Sequence, residues 1–361
     1  MNLLMITRKI DQDDWLAGHS YEWAVKIRSK IQDQRSKLFV ICLEKGNTEG
    51  LDAEVFSLGK EKGNSRWQRF WEFQRLAKKL VPEVDGVFAH QNPEYAITVW
   101  PWALIYQKML VSWYTHKAVT WKSRLMLMLS DKVLTASDKS FRIRSSKVAV
   151  VGHGIDIDKF KAHSEKFKVT NKSSPPMAEK FRVITVGRIS PTKDLETLIL
   201  AVKKLKGQGE NIHLAIYGGA VLPVDHSYLA ALKNLVTQSN LTETIAFMPP
   251  VSHKKIPQIY QEADLFVNLS QTGSLDKAVL EAMACECPVV TSNEAFFEIL
   301  QNFSDLSLVE PNQPELLAEK ILRIKKLSLS DRNALTANLR SIVVNSHSLE
   351  SIVEKIIGSF T

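Results

Sequence analysis

Two apolar runs, 3–7 (LLMIT) and 182–186 (RVITV), begin the two halves of this chain in the same way. Each leads through a polar loop into a long stretch of helical periodicity, the pattern of a strand–loop–helix unit in an open parallel sheet. The alternation continues. Further strands are expected at 38–43, 86–89, 109–114, 132–136 and 147–151, then at 212–217, 244–248, 264–268, 288–291 and 306–309. Helices are expected near 20–33, 67–80, 95–107, 119–129 and 138–144, and near 194–207, 226–239, 255–262, 275–285, 294–301, 313–327 and 331–343. The expected fold class is α/β, two Rossmann-like doubly wound domains facing across a cleft.

The 361 residues suit two domains of ordinary size. A Pro-, Ser- and Lys-rich stretch at 171–180 (NKSSPPMAEK) is the best linker between a first domain, 1–170, and a second, 181–345. The tail, 346–361, reads as a last amphipathic helix that could cross back to the first domain. No apolar run approaches the roughly 20 residues that span a bilayer. The N-terminus lacks a basic leader followed by a long apolar core, so a cytoplasmic protein is expected. Cys42, Cys285 and Cys287 stand at no metal-ligand or redox spacing and read as reduced thiols.

A formal charge of +8 implies attraction to polyanions without choosing among nucleic acid, an anionic membrane face and phosphorylated substrates. No recognised nucleic-acid motif accompanies it, so nucleic acid is not expected as a partner. A dehydrogenase is a poor reading as well, because Tyr217-Gly218-Gly219 falls short of the full dinucleotide fingerprint.

The stretch 270–293 (SQTGSLDKAVLEAMACECPVVTSN) carries the most chemistry. It reads as a polar loop, a short helix with Glu281 on its apolar face, and a strand. A carboxylate so placed is costly unless it meets a partner. Backbone N–H groups at the loop and the helix N-terminus suit an anion such as phosphate. Some ninety positions earlier, Gly187-Arg188 ends a strand and Lys193 precedes a helix. Glycine lets a ligand approach the backbone, and an Arg fork with a Lys charge suits phosphate oxygens. The plain alternative is a surface turn with solvated cations.

VGRISPTKDLETLILAVKKL, HLAIYGG, IAFMPPVSHKKIPQIYQEADLFVNLS and AVLEAMACECPVVTSN stand in the order and spacing of the family 4 glycosyltransferases of the GT-B fold. VVGHGIDIDKF, 150–160, resembles the segment closing that family's N-terminal domain. The similarity is strong over about 150–300 and loose elsewhere. The resemblance implies a retaining enzyme that needs no metal and no cofactor, its partners being a nucleotide diphosphate-sugar donor and a glycan or lipid-linked acceptor. Arg188 and Lys193, beside Gly187, would hold the donor diphosphate. Glu281 would accept hydrogen bonds from the ribose, the amides of Gly273, Ser274 and Leu275 would cap the distal phosphate, and Pro250 and Val251 would border the base. His116 would stand near the donor sugar, with His90 and His153 as weaker candidates. Gly18 would let the first domain's backbone approach the diphosphate, while Ser20 or Asp14 could cap the next helix instead.

Two departures stand out. Eight positions before Glu281 the family's pattern has an acidic residue, and here it is Gly273. Asp276 is the candidate replacement, its alternative being a first-turn residue favoured by the helix dipole. This departure also motivates a non-catalytic nucleotide-sugar or glycan binder as the competing reading. Glu286 replaces the glycine expected after the helix, at a cost of about 1 kcal/mol if φ is positive there. Finally, 65–80 (SRWQRFWEFQRLAKKL) is a basic, aromatic helix. It either packs on its own sheet or lies on an anionic membrane face.

Overall fold

A computed structural model describes residues 1–31, 35–161 and 180–360. The proposed linker lies outside the described residues except for Lys180. The chain divides into two compact units: Met1–Asp156 with Ser252–Lys254 and Ser346–Thr361, and Ile157–Val251 with Lys255–Asn345.

The first unit runs β1 (Leu3–Ile10), α1 (Gly18–Lys30), β2 (Leu38–Lys45), β3 (Glu54–Ser57), α2 (Arg66–Leu80), β4 (Gly86–His90), α3 (Pro93–Ile105), β5 (Met109–Trp113), α4 (Trp121–Leu129), β6 (Lys132–Thr135) and β7 (Val148–Val150). Its strands pair in parallel in the order β3-β2-β1-β4-β5-β6-β7. Strands buried on both faces need near-continuous apolar runs, and Leu4, Ile6, Val40, Ile41 and Val87 supply them. The short edge strand β3 is partly exposed and carries two apolar residues, too weak a pattern to read from sequence.

The second unit runs β8 (Phe181–Val186), α5 (Leu195–Gly207), β9 (Ile212–Tyr217), α6 (Pro223–Gln238), β10 (Ile245–Met248), α7 (Ile256–Glu262), β11 (Leu265–Asn268), α8 (Lys277–Ala284), β12 (Val289–Thr291), α9 (Ser304–Ser307), α10 (Pro314–Lys325) and α11 (Leu329–His347), whose last two residues count with the first unit. Its parallel sheet has the order β10-β9-β8-β11-β12. The last helix, α12 (Leu349–Ile357), belongs to the first unit. There Ile155 pairs with Ser348, and Lys30 binds Glu354 at 2.8 Å across α1 and α12.

Three expected elements differ. The helix expected at 138–144 is a turn followed by irregular chain, in which the Ser137 hydroxyl accepts the Ser140 N–H at 3.2 Å. At 294–301 two short 3₁₀ segments, Glu294–Phe296 and Gln301–Phe303, stand around a turn. Buried Phe296 and Leu300 have helical spacing, which is what the sequence pattern registers. The strand expected at 306–309 makes only a single bridge, Thr291 to Leu308, after α9. Among the described residues no helix is long and apolar enough to cross a membrane.

Candidate functional site

In each sheet the strand order reverses at one place, and the loops leaving the two central strands there form the crevice where ligands bind in such folds. In the second unit this place lies between β8 and β11. Beyond β8 the chain turns at Gly187, at φ +142°. Its N–H donates to Tyr217 O at 3.0 Å, the Ile189 N–H to Gly219 O at 3.0 Å, and the Gly218 N–H to Met248 O at 3.2 Å. These bonds draw three strand ends together. Gly218 sits at φ +148°, and a Cβ there would fall 1.8 Å from Gly187 O. No other residue fits. A Cβ on Gly219 would lie 3.1 Å from Pro250 Cγ, so the loop carrying Val251 closes over the same edge.

The loop after β11 meets the loop after β8. The Gln271 N–H donates to Thr192 O at 3.0 Å, and the Lys193 ammonium is ion-paired with Asp276. Asp276 is the N-cap of α8, accepting the Ala278 N–H at 3.3 Å on one oxygen and the Asn268 amide at 2.9 Å on the other. Burial pushes this carboxyl's pKa up. The Lys193 charge, with the hydrogen bonds from Lys193, Asn268 and Ala278, outweighs it and holds Asp276 below the usual carboxylate range. Gly273 lies at φ +64°. Buried Asn293 fixes the loop by donating to Ser274 O at 2.8 Å, and Leu275 is buried at the helix entry. Arg188 is half-exposed, 3.7 Å from the buried carboxylate of Asp225, which itself accepts the Leu222 N–H at 3.0 Å.

Glu281 is buried on α8, as its place on the apolar face required. Tyr260 donates its hydroxyl to Oε2 at 3.3 Å, and Lys277, one turn earlier, stands 3.5 Å from Oε1. Burial, then the charge of Glu281, keeps the Tyr260 phenol well above its ordinary pKa. The Lys277 contact was legible as an i,i+4 pair, whereas Tyr260 arrives from α7 and carried no signal. Glu286 does adopt positive φ, +54°.

In the first unit the reversal lies between β1 and β4. Thr7 Oγ1 and His90 Nδ1 are 3.2 Å apart, and Trp23 covers the His90 ring at 4.8 Å between centroids. His19 Nε2 lies 2.9 Å from Gln91 Nε2, Gln91 being at φ +76°. Thr7, His19 and Gln91 were missed by sequence reasoning, since strand order is what singles them out. His116 is exposed in the loop after β5, accepting the Ala118 N–H at 3.2 Å. His153 stands beside Trp113. Gly18 begins α1, and a Cβ there would fall 2.7 Å from His253 Cβ, in the Ser252–Lys254 segment of the same unit. That packing accounts for a glycine without a ligand. Asp14 accepts the Leu16 and Ala17 N–H groups at the entry to α1, whereas Ser20 lies inside the helix. Cys42, Cys285 and Cys287 are buried and unbridged, and burial pushes the Cys42 thiol up to about 12.

Residues 165–341 match the family model described as glycosyl transferases group 1. A D-inositol 3-phosphate glycosyltransferase of Mycobacterium sp. (strain JLS) is 31% identical over 150 residues, 41% of this chain and 32% of that protein. The chain thus matches about a third of that relative's length. The capsular polysaccharide biosynthesis glycosyltransferase CapM of Staphylococcus aureus is 24% identical over 238 residues, 63% of this chain and 58% of CapM. Among solved structures, Anabaena Alr3699/HepE in complex with UDP and glucose superposes with TM-score 0.75 at 19% identity, covering 99% of both chains. The fold is GT-B, two Rossmann-like domains with parallel sheets.

Proposed function

We propose that this chain, whose residues 165–341 match the family model of the glycosyl transferases group 1, is a retaining glycosyltransferase. It moves a sugar from a nucleotide diphosphate-sugar to a glycan or lipid-linked acceptor. The observation carrying this reading is the pair of cations, Arg188 and Lys193, on the loop that leaves β8 where the strand order reverses. As the bond from the sugar's anomeric carbon to the diphosphate breaks, its electron pair goes to the phosphate oxygen. Two fixed cations stabilise that developing charge, the task a divalent ion performs in other enzymes, so the reaction proceeds without metal. The amides of Gly273, Ser274 and Leu275 cap the distal phosphate, Glu281 accepts from the ribose, and Val251 borders the base. His116 orients a hydroxyl from the first unit. Mycobacterial and staphylococcal relatives named as glycosyltransferases support the reading, as does the UDP bound to the Anabaena protein.

Incubation with UDP-, GDP- and ADP-sugars, followed for nucleotide release, tests it. One donor should be hydrolysed slowly alone and faster with acceptor, and the same donor should raise Tm. Binding with no turnover under any acceptor would favour the second reading, a nucleotide-sugar binder, which Gly273 motivates by offering no carboxylate to the transferred sugar.

A further inference from the structure

A cavity of about 470 Å³ opens in the first unit beneath the first turns of α2, within the size range of small-ligand pockets. Its walls are apolar, with Ile41, Leu43, Leu58, Phe70 and Phe73 among them. Arg66 and Arg69 also line it. Among the described residues neither arginine has an ion-pair partner, whereas Arg75 on the same helix is bound to Glu72 and the cavity's Glu94 is bound to Lys122 at 2.7 Å. The cavity also reaches Thr7 and Asn92, which lie where the strand order of this unit reverses. Outside it, Trp67 and Trp71 are 75% and 66% exposed and pack edge-on against Phe70, so the helix presents an aromatic ridge to solvent.

An apolar cavity with unpaired guanidinium groups along it matches a molecule with one hydrocarbon chain and an anionic head. Guanidinium binds phosphate oxygens in bidentate fashion, and a chain removed from water gains about 25 cal/mol per Å² of apolar surface. The geometry points to this cavity as the binding site for a single-chain lipid phosphate, its chain against Phe70 and Phe73 and its phosphate on Arg66 and Arg69. The exposed Trp67 and Trp71 rest in the interfacial layer of the membrane that holds the lipid. Identifying that lipid as the acceptor rests on the transferase reading; the binding itself does not.

Farnesyl phosphate is the probe, titrated calorimetrically into the full chain with farnesol and inorganic phosphate as controls. Farnesyl phosphate should bind saturably, at least tenfold more tightly than either control, and Arg66→Gln/Arg69→Gln should weaken it at least tenfold. Equal affinity in wild type and double variant overturns the assignment, as does inorganic phosphate binding as tightly as farnesyl phosphate. Flotation with phosphatidylglycerol vesicles separates the remaining source. If the double variant loses vesicle binding while wild type fails to bind farnesyl phosphate, the arginines serve a phospholipid surface and the cavity assignment falls. Nucleoside diphosphate binding belongs to the second unit, so its absence would sink the transferase reading and leave this site standing.

Discussion

Lys193 and Asp276, 83 positions apart, are ion-paired across the two loops that leave β8 and β11. The pair places the carboxylate nearest the missing family acid on a cation proposed to meet phosphate. Asp276 therefore positions Lys193 and caps α8 at once. Asp276→Asn keeps an N-cap side chain of equal rank but removes the partner of the mostly buried Lys193, so Tm should fall by several degrees while the helix remains capped. Turnover of the donor should fall about tenfold or more, with KM changing less. Unchanged turnover would reduce Asp276 to a cap.

Arg188→Ala and Lys193→Ala separate phosphate from nucleoside recognition. Charge-assisted hydrogen bonds contribute roughly 1.5–3 kcal/mol, so nucleoside diphosphate affinity should drop about 10–100-fold. Affinity for the nucleoside should stay nearly constant. Equal losses for both ligands would show that neither cation touches phosphate.

Gly218→Ala tests the closure of the strand ends. The new Cβ meets the Gly187 carbonyl at 1.8 Å in a backbone region that side chains avoid. A loss of about 3 kcal/mol or more is expected in denaturant unfolding of the variant, with weakened nucleotide binding. Wild-type stability would mean the loops are looser than described.

Glu286→Gly should stabilise the protein by about 1 kcal/mol, because Glu286 is at φ +54°. The variant loses an ion pair to Arg340 at 4.0 Å, a small term for partly exposed groups. Arg340 stays held by the Phe160 carbonyl at 2.8 Å. A lowered Tm would show that the pair outweighs the backbone strain.

Burial, with the repulsion of His153, lowers the His347 imidazole from 6.5 to about 4. The unfolded chain therefore binds a proton that the folded chain does not between those two pH values. Stability should fall as pH drops from 6.5 to about 4, by about 3 kcal/mol, and this contribution stays constant below. Urea unfolding across that range should show the slope, and His347→Leu should flatten it.

Local signals wrote much of this molecule. The twin starts at 3–7 and 182–186, the β/α alternation, the buried Glu281 with its neighbour Lys277, and the positive φ at Glu286 are all readable, because periodicity and turn chemistry act over a few residues. At 138–144, where the chain makes a turn and no helix, periodicity misled. Strand order is not local. Only the folded sheet puts β8 beside β11, and from that follow the Lys193–Asp276 pair, the contact between Thr192 and Gln271, and the place of Thr7 and His90 at the other reversal. Tyr260 reaches Glu281 from a different helix, and Gly218 is compulsory because a distant carbonyl fills the space a side chain would need. Such contacts join residues far apart in the chain, and their geometry exists only once the strands have chosen neighbours.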